Sequence, residues 1–193
     1  MFSREIQRYQ WSTLRCASPT GAAVVPVDLQ RLATATTREM ALDAYWCIDH
    51  VVSRQGALYE AAIPTTICAL SALQHSTPIG RIWLLELLTI IGNGEASSEE
   101  LAVGNTTIVE VCMREVCRGA AIYFHLLEHG IPEEREGCVD LLSLCCYHDP
   151  SLKSRVVWWF THLLTQELPP EEYHSIEANL HDILDHVLEP MEH

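Results

Sequence analysis

Prolines set directly after capping residues, or directly before glutamates, divide this chain into helix-length pieces. Thr77-Pro78 and Asp149-Pro150 each join a side chain that caps helix N-termini to a residue suited to the first helical position. Pro132 is followed by Glu133, Glu134 and Glu136, and Pro169-Pro170 by Glu171 and Glu172, acids that favour the positive end of a helix dipole. Proline lacks a backbone donor, so it belongs at such starts and not inside a helix.

Between these signals the apolar residues recur at helical spacing. Thr36-x-x-Glu39 reads as a capping box for a helix over 36–54, with Met40, Ala44, Cys47 and Val51 as its stripe and Gly56 as its stop. A helix over 57–74 contains Pro64, which predicts a kink or a fresh start there. Helices follow over 77–91, 105–129 (ended by Gly130), from Pro132 onward, 151–166, and from Pro170 to about 189. The 92–104 segment reads as a polar loop. No segment reads as a strand, and residues 1–27, broken by Ser18, Pro19, Gly21 and Pro26, read as irregular. The start at Thr77-Pro78 and that at Asp149-Pro150 resemble each other: cap, proline, a basic residue one turn on, then an apolar run with tryptophan. Their prolines lie 72 residues apart, about two helical-pair repeats. The expected fold is all-α, with residues 28–193 as one helical-repeat domain. Short connections favour an α-solenoid of about three to four antiparallel helix pairs over a one-off bundle.

The string His125-Leu126-Leu127-Glu128-His129 has the spacing of an inverted zinc-protease motif. Its two histidines are neighbours on a helix. Arg114 and Arg118, however, fall on the same face of the expected 105–129 helix, opposite the stripe Val109, Cys112, Val116, Ala120, Tyr123 and Leu127. Fixed positive charge opposes a bound dication, and a catalytic zinc needs a third protein ligand that no motif supplies. His129 in a last turn has a simpler role at the negative end of the dipole. No metal, cofactor or catalytic residue is expected.

The eight cysteines contain no C-x-x-C and mostly sit among Leu, Val and Ala, as reduced core thiols do. Cys138 and Cys145 share a helix face with Leu141 and Leu142, so packing accounts for them better than thiol chemistry beside His148. The N-terminus lacks the apolar run of a signal peptide, and the most apolar segment, 82–91, is too short to span a bilayer. A soluble, cytoplasmic protein is expected. Trp46, Asp49, His50, Gln55, Tyr59 and Glu60 form a polar-aromatic cluster, read either as a binding groove or as a hydrogen-bonded corner between helices.

Net charge is −14, unevenly spread. Residues 1–96 hold 7 Lys and Arg against 8 Asp and Glu, whereas residues 97–193 hold 5 against 18. This balance repels nucleic acid and anionic membranes and attracts a basic protein. The last helix carries an apolar stripe of Tyr173, Ile176, Leu180, Ile183, Leu184 and Val187. Acids cover much of its remainder, Glu189 among them, with no Lys or Arg to balance them. Glu171, Glu172, Glu177, Asp182 and Asp185 are the expected partner contacts.

The runs DAYWCIDHVVSRQGALYEAAIPTTICAL, RIWLLELLTIIG, REVCRGAAIYFHLLEHG and REGCVDLLSLCCYHDP resemble small bacterial HEAT-like repeat proteins over about residues 38–166. That resemblance implies a short HEAT-like solenoid and a binding module in place of an enzyme. Several proteins of this kind are encoded beside toxins delivered by contact-dependent or type VI systems, where they serve as immunity proteins. It implies a cognate toxin as partner, and the acidity points to a basic one, such as a nuclease-type toxin. A HEAT-like scaffold or effector-loading adaptor is the alternative. HEAT-like DNA glycosylases share the architecture but need a basic surface for phosphates.

Overall fold

The computed structural model describes residues 2–185, and the expected positions of Val187 and Glu189 lie outside them. It is all-α in character, 73% helix. The helices are α1 (Phe2–Ile6), α2 (Val25–Ala33), α3 (Arg38–Val52), α4 (Ala62–Leu73), α5 (Pro78–Gly92), α6 (Ser98–Ala102), α7 (Ile108–Arg118), α8 (Ala120–His129), α9 (Pro132–His148), α10 (Lys153–Leu163) and α11 (Pro170–Asp185).

The proline starts hold. In α5 the Thr77 side chain accepts from Gly80 N–H at 3.0 Å, with Pro78 at the first helical position. In α9 the Glu134 carboxylate reaches back to the Ile131 N–H at 3.0 Å. Other boundaries differ. The cap of α3 is Thr37, not Thr36, and its Oγ1 accepts from Met40 N–H at 3.2 Å. The buried stripe is accordingly Ala41, Ala44, Tyr45, Ile48, Val51 and Val52, leaving Met40 and Cys47 exposed. Segment 1–27 is not wholly irregular: α1 and two short 3-10 turns lie in it, and Pro26 sits in the first turn of α2. Pro64 likewise falls in the first turn of α4, the fresh start expected.

Three two-residue strands correct the expectation of none: β1 (Ser53–Arg54), β2 (Ala57–Leu58) and β3 (Glu95–Ala96). Gly56 does not simply stop α3. With Gln55 it makes a two-residue hairpin turn, both at positive φ (53° and 83°), so β1 pairs antiparallel with β2. β3 then adds parallel to β2, with Leu58 opposite Ala96.

The expected 105–129 helix is two helices. Gly119 interrupts it: the Val116 carbonyl accepts both Gly119 N–H at 2.9 Å and the Tyr123 hydroxyl at 3.0 Å, and a new ladder starts from the Gly119 carbonyl. A methyl at Gly119 would stand 2.5 Å from Leu70 Cδ2 and closer still to the Tyr123 hydroxyl, so the close approach needs glycine.

Sequential neighbours pack as α2 on α3, α4 on α5, α8 on α9 and α10 on α11. Along the chain, α3 also packs on α5, α5 on α9 and α9 on α11. Leucines 84, 85, 87, 88, 141 and 142, with Cys138 and Cys145, are fully buried in this core.

Candidate partner-binding face

Buried ion pairs bind one helix start to the next. Arg81, in the first turn of α5, donates Nε to Glu134 Oε1 of α9 at 2.6 Å and Nη1 to the Ser76 carbonyl at 3.0 Å. One position beyond Glu134, Arg135 repeats the device: its Nε and Nη2 hold both oxygens of Glu172 in α11, at 2.6 and 2.8 Å, while Nη1 reaches the Gly130 carbonyl at 3.3 Å. Each glutamate lies two residues after its helix-starting proline, and each arginine three. The N-termini of α5, α9 and α11 therefore share one edge.

This removes Glu172 from the expected partner contacts, because it is buried and bidentately bound to Arg135. Glu171, Glu177, Asp182 and Asp185 are exposed as expected. Two histidines lie beside them: His181 Nδ1 is 3.0 Å from Asp185, and His174 Nδ1 is 3.9 Å from Glu177.

A second acidic group, which sequence reading did not assemble, lies across the neighbouring helices. Glu136 of α9 and Glu86 of α5 both act on Asp140 of α9, and Asn179 of α11 hydrogen-bonds Asp140. Burial, then the charge of Glu136, pushes the Asp140 carboxyl above its ordinary value, and Glu86 adds to the push. Among the described residues no Lys, Arg or His forms an ion pair with Glu86, Glu136 or Asp140. Beside the row runs an aromatic chain from α3 to α5. Exposed Trp46 meets Tyr45 edge-on at 5.1 Å, Tyr45 meets Trp83 at 5.1 Å, and Arg38 lies over Trp83 at 6.0 Å. At the far end of α9, exposed Tyr147 lies near Asp182 of α11.

The polar-aromatic cluster splits in two. Trp46, Asp49, His50 and Gln55 line an open groove of about 530 Å³ with Ala17, Ser18 and Pro19, and His50 stacks on Trp46 at 5.6 Å. Burial raises the Asp49 carboxyl, with His50 and Ser53 opposing. Tyr59 and Glu60 belong to a buried anchor. Glu100, wholly enclosed, accepts from Arg15 Nε and Nη2 at 2.9 and 2.7 Å, Asn105 Nδ2 at 2.6 Å and the Glu60 N–H at 3.0 Å. Glu60 pairs with Arg15 at 3.2 Å, and the Tyr59 hydroxyl donates to Glu99 at 3.3 Å. Burial would raise the Glu100 carboxyl, yet the hydrogen bonds from Arg15, Asn105 and the Glu60 backbone outweigh it and hold it below its ordinary value.

His125 and His129 are neighbours on α8, ring centroids 4.8 Å apart. The break at Gly119 separates them from Arg114 and Arg118. The cation lining a groove with His125 is Arg81. Among the described residues no three His, Cys, Asp or Glu are gathered so as to hold a metal ion, and no helix is long and apolar enough to cross a membrane. No protein-family model, curated protein or solved structure matches the chain.

Proposed function

We propose that this chain is a binding module and not an enzyme: a cytoplasmic immunity protein that neutralises a basic toxin domain by covering its active site. Its architecture is a short HEAT-like solenoid of four antiparallel helix pairs, α2/α3, α4/α5, α7–α8/α9 and α10/α11. The packing order supports this, since the second helix of each pair lies against the second helix of the next. The Arg81–Glu134 and Arg135–Glu172 pairs are the same joint used twice, as a repeat architecture requires.

The observation that carries the function is the row Glu86, Glu136 and Asp140, which has no cationic partner among the described residues, with Trp83 three residues before Glu86 on α5, Trp46 on α3 and Tyr147 on α9. Like charges held together cost the fold some self-repulsion. A cationic partner removes that cost on binding, and exposed aromatics supply the anchors that protein interfaces favour. A nuclease-type toxin fits, because a surface that holds phosphates is basic and a row of carboxylates imitates them. Glu171, Glu177, Asp182 and Asp185 on α11 extend the field. The test is gel filtration of this protein with the product of the adjacent reading frame, together with the growth of cells expressing that product alone or with this protein. The reading expects a 1:1 nanomolar complex and restored growth. A weak complex formed with several unrelated proteins would support the adaptor reading instead.

A further inference from the structure

Two stretches of the chain share one spacing, Trp46-x-x-x-His50 in α3 and Trp158-x-x-x-His162 in α10. Residues four apart are neighbours on a helix, and in both stretches the rings stack, at 5.6 and 5.3 Å. Both tryptophans are exposed, Trp158 by 59%, and they line open grooves of about 530 and 500 Å³. The grooves differ in charge. That of Trp46 contains Arg54 as well as Asp49. That of Trp158 is lined by Glu128 and Glu167, and its one arginine, Arg135, already has its guanidinium on both oxygens of Glu172 and on the Gly130 carbonyl. Among the described residues Glu128 meets only His129, at 3.6 Å, and Glu167 forms no ion pair.

We infer that the Trp158 groove is a binding site for an arginine side chain presented by a partner polypeptide. Trp158 and Trp159 meet at 5.4 Å with their planes at 90°, and His162 lies parallel to Trp158 and steep to Trp159. The three rings form a corner, and buried Leu127 and Leu163 line the same groove. The corner is held in place: Trp159 packs on Phe124 at 6.2 Å, and His162 Nε2 lies 3.3 Å from Gln166 Nε2.

A guanidinium matches both parts of this groove. Its flat face is attracted to an indole ring, and its N–H edge fits carboxylates. A neutral apolar anchor would desolvate Glu128 and Glu167 without giving them a partner, and an anion would be repelled. A lysine ammonium fits less well, because a point charge cannot stack on an indole and meet carboxylates edge-on together. The assignment uses none of Glu86, Glu136 and Asp140 and holds whether or not the partner is a toxin.

The test follows the indole N–H signals of the isotope-labelled intact protein, one for each of its five tryptophans. Two glycine- and serine-flanked pentapeptides are titrated in turn to about 10 mM, one with a central arginine and one with citrulline, its uncharged isostere. The arginine peptide should shift the Trp158 and Trp159 signals and leave those of Trp11 and Trp46 in place. Trp11 is buried with its Nε1 on the Ile6 carbonyl, and the Trp46 groove has its own arginine. The citrulline peptide should bind about tenfold more weakly. Read at the Trp159 signal, Glu167→Gln should weaken the arginine peptide about threefold and Trp158→Ala about tenfold. Both residues are exposed, so neither change removes a core contact. Equal shifts with citrulline, a larger shift at Trp46 than at Trp158, or no shift at all would each overturn the assignment. None of these outcomes touches the acidic row, which the association rate with its partner tests separately.

Discussion

Glu100 is the residue on which most local order converges, since its carboxylate satisfies a side chain from the N-terminal segment, a backbone N–H after β2 and Asn105 beyond α6. Glu100→Gln leaves Arg15 facing a neutral amide and should cost about 2 kcal/mol in urea unfolding at neutral pH. A carboxylate held below its ordinary value of 4.5 contributes stability that is complete above that value and is lost as pH falls through the folded value. Wild type should therefore lose its advantage over Glu100→Gln between about pH 5 and pH 3, read as converging urea midpoints. None of this was legible in sequence, where Glu100 is one of two adjacent acids in a polar loop and its partner Arg15 is 85 residues away. The choice of Glu172 as a partner contact failed for the same reason. Acidity at a helix start reads identically whether it faces solvent or an arginine 37 residues earlier. The signal that was present is the offset: Arg81 and Arg135 three residues after their prolines, Glu134 and Glu172 two after theirs.

Elements whose starts carry their own chemistry were readable. Pro78, Pro132 and Pro170 each open a helix in the structure where the sequence puts one. The unbroken periodicity through 105–129 misled because the close approach at Gly119 is tertiary as well as local, with Leu70 of α4 and the Tyr123 ring both crowding the backbone there. Gly119→Ala should not fuse α7 and α8 but clash, lowering stability by about 2 kcal/mol in a thermal or urea melt. The strands β1 to β3 escaped notice because β3 joins β2 from 38 residues away and each is two residues long. The arginine joints make a sharper prediction. Arg135→Ala strands the buried Glu172 and should loosen α10 and α11 selectively. Hydrogen exchange should show their amide protection falling, with that of α3 and α5 retained. Uniform loss throughout the chain would mean that the pairs do not act as joints between units.

At the scale of the whole molecule, the uneven charge was visible in sequence, but the face that bears it was not. Reading one helix at a time put the acidic surface on α11. The packing of α9 against α5 and α11 adds Glu86, Glu136 and Asp140, with Glu86 and Glu136 50 residues apart in sequence. The most direct measurement is the association rate with the product of the adjacent reading frame for two triple variants, Glu86→Lys/Glu136→Lys/Asp140→Lys and Glu171→Lys/Glu177→Lys/Asp185→Lys, at low and high salt. The first set should slow association by about a hundredfold at low salt and flatten its salt dependence, and the second by only about threefold. Equal rates for the first set and wild type, with the complex intact, would contradict the claim that this acidic face receives a basic partner.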